Sequence, residues 1–139
     1  MELTAPLITT LYAGLNGLVA LWLAINVTRN RAKRGIDFGS SNDEEMQRVI
    51  RVHGNNSEYT PLVLILLALI ELVGAPALAI HVLGGGLLAA RVFHAQGLYS
   101  KAGATPGRLI GTSVTWLVIA LASIYAIYLF FAGGMSTHM

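Results

Sequence analysis

Residues 48–61 read RVIRVHGNNSEYTP and lead directly into the apolar run LVLILLALI at residues 62–70. Together they predict one helix that begins in water and continues into a membrane. At about 100° per residue, the polar side chains of this stretch share one helical face roughly 100° wide. We call this face the polar stripe, and its members are Arg48, Arg51, Asn55, Glu58 and Tyr59.

The polar stripe lies at one mouth of the predicted bilayer span, where charged groups are costly and by default mark a functional site. An alternative interpretation is a set of interfacial anchors that extend their charged ends to water. That interpretation accounts for Arg48 and, less well, for Arg51. It does not account for Glu58, which lies deeper on the same face. The stripe is therefore better interpreted as a binding site.

The composition is typical of a membrane protein. Of the 139 residues, 55% are hydrophobic and 12% are charged, about half the charged fraction of a soluble domain. Residues 3–28 and 109–139 contain no Asp, Glu, Lys or Arg, and each run exceeds the ~20 residues that cross a hydrocarbon core. We predict an all-α integral membrane protein, with residues 1–139 forming a single domain. Its four-transmembrane-helix bundle is predicted to use residues of about 5–28, 43–73, 76–98 and 107–132.

Sequence signals also predict how the helices begin and end. Ser41 or Asn42 is expected to cap the second helix. Thr105 is expected to cap the fourth helix, with Pro106 at its first position. Glu71, beside the turn that follows the second helix, is expected to be an interfacial carboxylate at the far mouth.

The basic residues predict the orientation in the membrane. All nine lie on the side of the first and third loops, so the positive-inside rule places these loops in the cytoplasm and both termini outside. A net charge of +2 is too small to indicate nucleic-acid binding. The basic residues are Arg29, Arg31, Lys33, Arg34, Arg48, Arg51, Arg91, Lys101 and Arg108.

Other polar residues are expected on the same side as the polar stripe, because a four-helix bundle brings these helix ends together. Arginines bind carboxylates through two parallel hydrogen bonds, and Glu58 would bind an ammonium group. A tripeptide with two carboxylates, an amine and a thiol fits this set. Since the chain has no cysteine, any thiol chemistry would use the thiol of a ligand. The added residues are Arg29 and Arg31 on the first helix, Arg91 and His94 on the third, and Arg108 on the fourth.

Two motifs resemble one family. The pattern Arg48-x-x-Arg51-x-x-x-Asn55-x-Ser57-Glu58-Tyr59-x-Pro61-Leu62 is similar to the second-helix signature of the MAPEG family, the membrane-associated proteins in eicosanoid and glutathione metabolism. Residues 90–97, ARVFHAQG, resemble that family's third-helix motif. The chain length and the four-helix plan agree, so the resemblance covers essentially the whole chain. It implies a homotrimer with glutathione bound between subunits near the cytosolic face.

The resemblance also implies an activity. Members of the family conjugate glutathione to lipophilic electrophiles, reduce lipid hydroperoxides or isomerise lipid endoperoxides. We therefore expect a glutathione transferase, with or without peroxidase activity, that uses no metal and meets its lipophilic substrate in the membrane. The positions implied to hold glutathione are Arg51, Asn55, Glu58 and Tyr59, helped by Arg29 or Arg31, by Arg48 and Arg91, and by His94, with Arg108 beside the thiol.

Some positions depart from the family pattern. Gly54 stands where some glutathione-using members carry an arginine, and Leu98 stands where many carry a tyrosine. His94 occupies a position that is tyrosine in the leukotriene-forming branch. Leu109 follows Arg108 where one isomerase branch has a serine, which argues against isomerase chemistry here.

Several interpretations stay open at this stage. His94 could bond a neighbouring helix, Arg91 could form a salt bridge with Glu58 or an acidic loop residue, and Arg108 could be an interfacial anchor. A non-catalytic family member that binds a lipid or a partner protein is the alternative function. A small exporter is disfavoured, because such proteins need an ionisable residue near the bilayer midplane and the first and fourth helices have none.

Overall fold

Four α-helices form the protein in a computed structural model that describes residues 5–99 and 105–136. They are α1 (Leu7–Arg34), α2 (Glu44–Leu72), α3 (Ala77–Tyr99) and α4 (Pro106–Ser136). These two ranges contain no strand, so the predicted all-α four-helix fold is confirmed. Ser100 and Lys101, in the predicted third loop, lie outside the described residues.

Helices α2 and α3 each pack against all three of the others. Helices α1, α3 and α4 each contain a stretch long and apolar enough to cross a membrane. Helix α2 is apolar only in its second half, and its polar first half is flanked by its neighbours. Within the described residues, α1 and α4 do not contact each other. The polar half of α2 thus belongs to a bundle whose other three helices are each able to cross a membrane.

Helix α1 extends past its predicted end at Thr28 and continues to Arg34. Arginine, lysine and alanine are strong helix formers, so the helix persists where the apolar run stops. Gly35 ends it with a left-handed φ of 64°, and the Gly35 N–H donates to the carbonyl oxygen of Arg31, a common helix C-cap. The basic residues of the last turn therefore lie where the helix dipole favours positive charge.

The predicted cap of α2 is wrong by one or two residues. Ser41 and Asn42 have φ values of 48° and 63° and form the turn before the helix. Asp43 is the capping residue, because its Oδ1 accepts a hydrogen bond of 2.8 Å from the backbone N–H of Met46. A carboxylate at this position also complements the positive end of the helix dipole.

The main hydrophobic core lies in the half of the bundle away from the polar stripe. It is formed where the apolar second half of α2 packs against α3 and α4, with buried residues three or four apart on α2. A smaller cluster of Leu23, Val52 and Ala95 joins α1, α2 and α3 nearer the stripe. The main core consists of Val63, Leu67, Ile70, Ile80, Leu83, Leu87, Val118 and Ala122.

Glu71 is not the interfacial carboxylate that the sequence predicts, because it is only 6% exposed. Its carboxylate accepts hydrogen bonds from the backbone N–H groups of Ile8 at 2.8 Å and Thr9 at 2.7 Å, and from the Thr9 hydroxyl at 2.6 Å. The first N–H groups of a helix have no partner within the helix. Glu71 therefore caps α1 from a different helix, and it does so with the charge that a helix N-terminus attracts.

We expect Glu71→Gln to lower the free energy of unfolding by about 1–3 kcal/mol, because the amide leaves buried donors of α1 without an acceptor. Glu45→Gln is the matched control on the same helix, since Glu45 pairs with Arg34 in an exposed salt bridge and such pairs contribute at most ~1 kcal/mol. Thermal unfolding of the detergent-solubilised protein measures both. Equal effects of the two substitutions would contradict the assignment of Glu71 as the cap.

Candidate functional site

The polar stripe lies beside the buried face of α2. At about 100° per residue, the stripe is turned by roughly 100° from that face. The side chains of Arg51 and Glu58 are turned furthest out and are 66% and 52% exposed, whereas Asn55 and Tyr59 are half-buried. The stripe therefore opens to the outside of the four-helix bundle. The buried face consists of Met46, Val49, Val52, Asn56, Thr60, Val63, Leu67 and Ile70.

Arg51 and Glu58 form an ion pair along the stripe, with Nη1 and Oε1 3.2 Å apart. The pair spans two helical turns and passes over Gly54, where a Cβ atom would lie 3.9 Å from each of the two charged atoms. A longer side chain at position 54 would stand between them. The departure at Gly54 thus coincides with an ion pair in which each charge neutralises the other.

Asn55 connects the stripe to α3. Its Oδ1 accepts a hydrogen bond of 2.8 Å from Nη1 of Arg91, and Arg91 is only 2% exposed. The salt bridge from Arg91 to Glu58 or to an acidic loop residue does not occur among the described residues, because Glu58 pairs with Arg51 instead. Arg91 thus joins α3 to one member of the polar stripe.

His94 connects α3 to α4. The imidazole is buried, its Nδ1 lies 3.2 Å from the Thr112 hydroxyl, and it also hydrogen-bonds the backbone of Arg108. Of the two interpretations of His94, the structure shows the bond to a neighbouring helix. The histidine therefore fixes the first turns of α4, which carry Arg108, against α3.

A close contact of glycines sets the distance between α3 and α4. A Cβ atom at Gly111 would lie 2.6 Å from the Ala90 carbonyl oxygen, and one at Gly97 would lie 2.7 Å from the Arg108 backbone nitrogen. The Thr105 hydroxyl donates to the Gly97 carbonyl oxygen at 2.6 Å. Sequence reasoning missed this contact, although the G-x-x-x-G spacing of residues 107–111 is a known signal of close helix packing.

Arg108 lies in the first turn of α4, as the sequence predicts. Its backbone N–H donates to the carbonyl oxygen of Thr105 at 3.1 Å, and Pro106 is the first residue of the helix. The N–H groups of this turn and the positive end of the helix dipole favour anions. Arg108 therefore belongs to a helix end that already attracts negative charge, and its guanidinium increases that attraction.

The remaining residues predicted for the site, including Arg48 of the polar stripe, bond elsewhere or are exposed within one chain. Arg31 donates to the Gly39 carbonyl oxygen at 3.0 Å and so holds the first loop, while Arg29 is exposed on α1. Arg48 donates to the Glu44 carbonyl oxygen at 3.3 Å within its own helix. The side chain of Leu98 lies outside the described residues. The described part of the chain contains no cluster of residues that could hold a metal ion.

Comparison with known proteins identifies the family. Residues 9–128 match the model of the MAPEG family. The chain belongs to the MAPEG family. It is also 32% identical to the inner membrane protein YecN of Escherichia coli strain K12, over 115 residues that cover 83% of this chain and 86% of the relative. YecN of Escherichia coli strain CFT073 gives the same values. The family resemblance of the two motifs is therefore confirmed, and a MAPEG member of this kind is an integral membrane protein.

Substitution at Gly111 tests the close packing that positions His94 and Arg108. We expect Gly111→Ala to lower the free energy of unfolding by about 1–3 kcal/mol, because the new methyl group must push α3 away from α4. Gly133→Ala is the control, since a Cβ atom at Gly133 meets nothing within 4 Å and alanine in a helix is favoured by up to ~1 kcal/mol. Thermal unfolding in detergent compares them, and a Gly111→Ala protein as stable as the control would refute the tight contact.

Proposed function

We propose that this MAPEG protein is a glutathione transferase that acts on lipophilic electrophiles or lipid hydroperoxides. One observation carries the proposal. Polar contacts gather at one end of the bundle, where the Arg51–Glu58 pair lies on α2 and Asn55 of the same helix binds Arg91 of α3. Further along α3, His94 binds the Thr112 hydroxyl and the backbone of Arg108 on α4. In a family that uses glutathione, this set of contacts on three helices supplies groups for both ends of the tripeptide.

The ion pair of the stripe favours a ligand with both signs of charge. A carboxylate that takes Arg51 leaves Glu58 without its partner, and an unpaired charge at a membrane mouth is costly. A ligand with an ammonium group beside a carboxylate replaces both partners at once. Glutathione carries such a group at its γ-glutamyl end. Its peptide groups then lie near Asn55 and Tyr59 on the same face.

The open side of the stripe supports a site between subunits. Arg51 and Glu58 are half or more exposed in a single chain, and a charged pair facing lipid is unfavourable. A second copy packed against this face encloses the pair and brings another chain's basic α1 terminus, with Arg29 and Arg31, toward the ligand. A homotrimer, the family assembly, has this property. Native mass spectrometry that finds only monomers in mild detergent would count against it.

Arg108 is assigned to the chemical step. A thiol with a pKa of roughly 8.5 is mostly protonated at neutral pH, and the thiolate is the nucleophile. A cation within about 4–6 Å lowers the pKa of an acid by about 1–3. Arg108 in the anion-favouring first turn of α4 therefore stabilises the thiolate of bound glutathione, and the proton leaves to water.

The thiolate has two possible reactions. With an electrophilic carbon it forms a C–S bond while the leaving group departs with its electron pair. With a hydroperoxide it takes one oxygen to give a sulfenic acid and an alcohol, and a second glutathione then yields the disulfide and water. Leu109 and Ile110 are exposed next to Arg108, which favours a lipophilic substrate arriving from the membrane.

The orientation in the membrane is part of the proposal. The first and third loops face the cytoplasm, where glutathione is supplied, and both ends of the chain lie on the other side. A membrane-impermeant thiol reagent applied to a Ser40→Cys variant tests this, since the chain has no other cysteine.

Two substitutions in the stripe test ligand recognition. Glu58→Gln removes the charge and keeps the shape, so we expect glutathione affinity to fall by about 1–3 kcal/mol. Arg51→Lys should also weaken binding, because an ammonium cannot replace a planar fork. Glu45→Gln is the control, because Glu45 is an exposed residue of α2 that pairs with Arg34 outside the stripe. Isothermal titration of the purified protein measures all three.

The outcomes of this titration separate the two candidate functions. Unchanged affinity in both stripe variants would remove the proposed site. Wild-type protein that binds glutathione but turns over neither an aromatic electrophile nor a hydroperoxide would favour a non-catalytic member of the family.

Arg108→Ala tests the chemical step. We expect the variant to bind glutathione but to lose the ultraviolet absorbance of the bound thiolate and nearly all turnover, because the stabilising charge is gone. Lys33→Ala, which removes an exposed cation on the same side of the membrane, should keep both signals. If Arg108→Ala retains the thiolate signal and full activity, Arg108 is an interfacial anchor and another residue activates the thiol.

A further inference from the structure

Arg91 is a buried cation whose position the packing of the helices does not explain. It is 2% exposed, and its Nη1 donates to the carboxamide of Asn55. Among the described residues, its Nε and Nη2 atoms have no hydrogen-bond partner, and no carboxylate forms a salt bridge with it. The guanidinium thus enters the bundle with one strong hydrogen bond, to a neutral group.

This arrangement is costly for the fold. Removing a charge from water is repaid only when the charge is paired and its donors are satisfied. A methionine at position 91 would fill similar space between α2 and α3 without that cost, as apolar replacements of buried charges often show. Stability alone therefore does not account for an arginine here, and a role in the nearby site does.

The contact with Asn55 has a directional consequence. A guanidinium has only donors, so it holds the carboxamide oxygen of Asn55 toward itself and settles which way the amide is turned. The two N–H donors of the Asn55 amide are then left for another acceptor. Within the described part of the chain these donors have no partner, and Asn55 is half-buried between the Arg51–Glu58 pair and Arg91.

We infer that Arg91 is a positioning residue that fixes the Asn55 carboxamide so that its N–H donors bind a carbonyl or carboxylate oxygen of glutathione. The inference rests on the proposed function and adds a residue that need not touch the ligand.

A double-mutant cycle tests the coupling. Arg91→Met, Asn55→Ala and the double variant are titrated with glutathione in detergent. We expect Arg91→Met to raise the Kd about tenfold or more, the effect of losing an oriented hydrogen bond. If Arg91 acts through Asn55, the double variant binds no more than about twofold more weakly than Asn55→Ala alone. Additive losses would overturn the route through Asn55.

Arg34→Met is the matched control. Arg34 also has a buried Nε without a hydrogen-bond partner in the described structure, but it pairs with Asp43 and Glu45 outside the site. We expect its Kd to stay within about twofold of the wild-type value. A Kd that rises as much in Arg34→Met as in Arg91→Met would overturn the inference, because loss of any cation would then suffice.

Thermal unfolding separates positioning from a purely structural role. A positioning role predicts that Arg91→Met unfolds at the wild-type temperature or above it while glutathione affinity falls. A structural role predicts a lower unfolding temperature with unchanged affinity, which overturns the inference. If Arg91→Met does not fold, Arg91→Lys replaces it, since an ammonium keeps the charge and a donor but not the planar geometry. Weaker binding that disappears in the Asn55→Ala background then supports the inference, and wild-type affinity overturns it.

Failure of the inference is distinct from failure of the proposed function. Wild-type protein that does not bind glutathione would overturn both. Arg91→Met protein that binds glutathione as tightly as the wild type would leave the proposed function standing and remove only the role of Arg91.

Discussion

A bilayer supplies no water to polar groups, so the polar and charged groups of α2 that are buried in the bundle must find their partners inside the protein. Helix α2 carries charges near both ends, and the arrangement of its neighbours follows from that constraint. At one end Glu71 binds the first N–H groups of α1. At the other end Asn55 binds the buried guanidinium of α3. These two contacts join α2 to α1 and to α3 at opposite ends.

The fourth helix is positioned by shape rather than by charge. The absence of side chains at Gly97 and Gly111 lets α4 approach α3 until backbone atoms of the two helices are in contact. His94 and Thr105 then bond across the same contact. Arg108 is brought to the polar end of the bundle because small residues permit the approach and polar residues fix its register. Close packing and the site are thus parts of one structural feature.

Much of this could be predicted from the sequence, because the signals were periodic and local. Apolar runs gave the four helices, and the spacing of the polar stripe placed Arg51 and Glu58 on one face. The partners of isolated polar residues could not be predicted in the same way. Glu71 and its partner Thr9 are 62 residues apart in the sequence, and Arg91 and Asn55 are 36 residues apart. No local pattern specifies which of several acceptors a side chain will meet once the helices pack.

The errors at helix ends have a similar origin. Ser41, Asn42 and Asp43 are all good capping residues by type, and the left-handed turn at the first two decides in favour of Asp43. The apolar run predicts an end of α1 at Thr28, whereas the following residues continue the helix to Arg34. In both cases the backbone turn, rather than the composition, fixes the boundary.

The two ends of α2 use their polar groups differently. The Glu71 carboxylate accepts hydrogen bonds from donors of its own chain, as expected of a buried polar group that stabilises the fold. Nearer the other end, the buried guanidinium of Arg91 keeps two nitrogen donors that the described part of the chain does not fill, and the Arg51–Glu58 pair faces outward. A fold under selection for stability alone would have little reason to leave donors unfilled beside a membrane, where each one is expensive. Unfilled donors at one end and a satisfied carboxylate at the other therefore support the proposal that the first end binds a ligand while the second stabilises the fold.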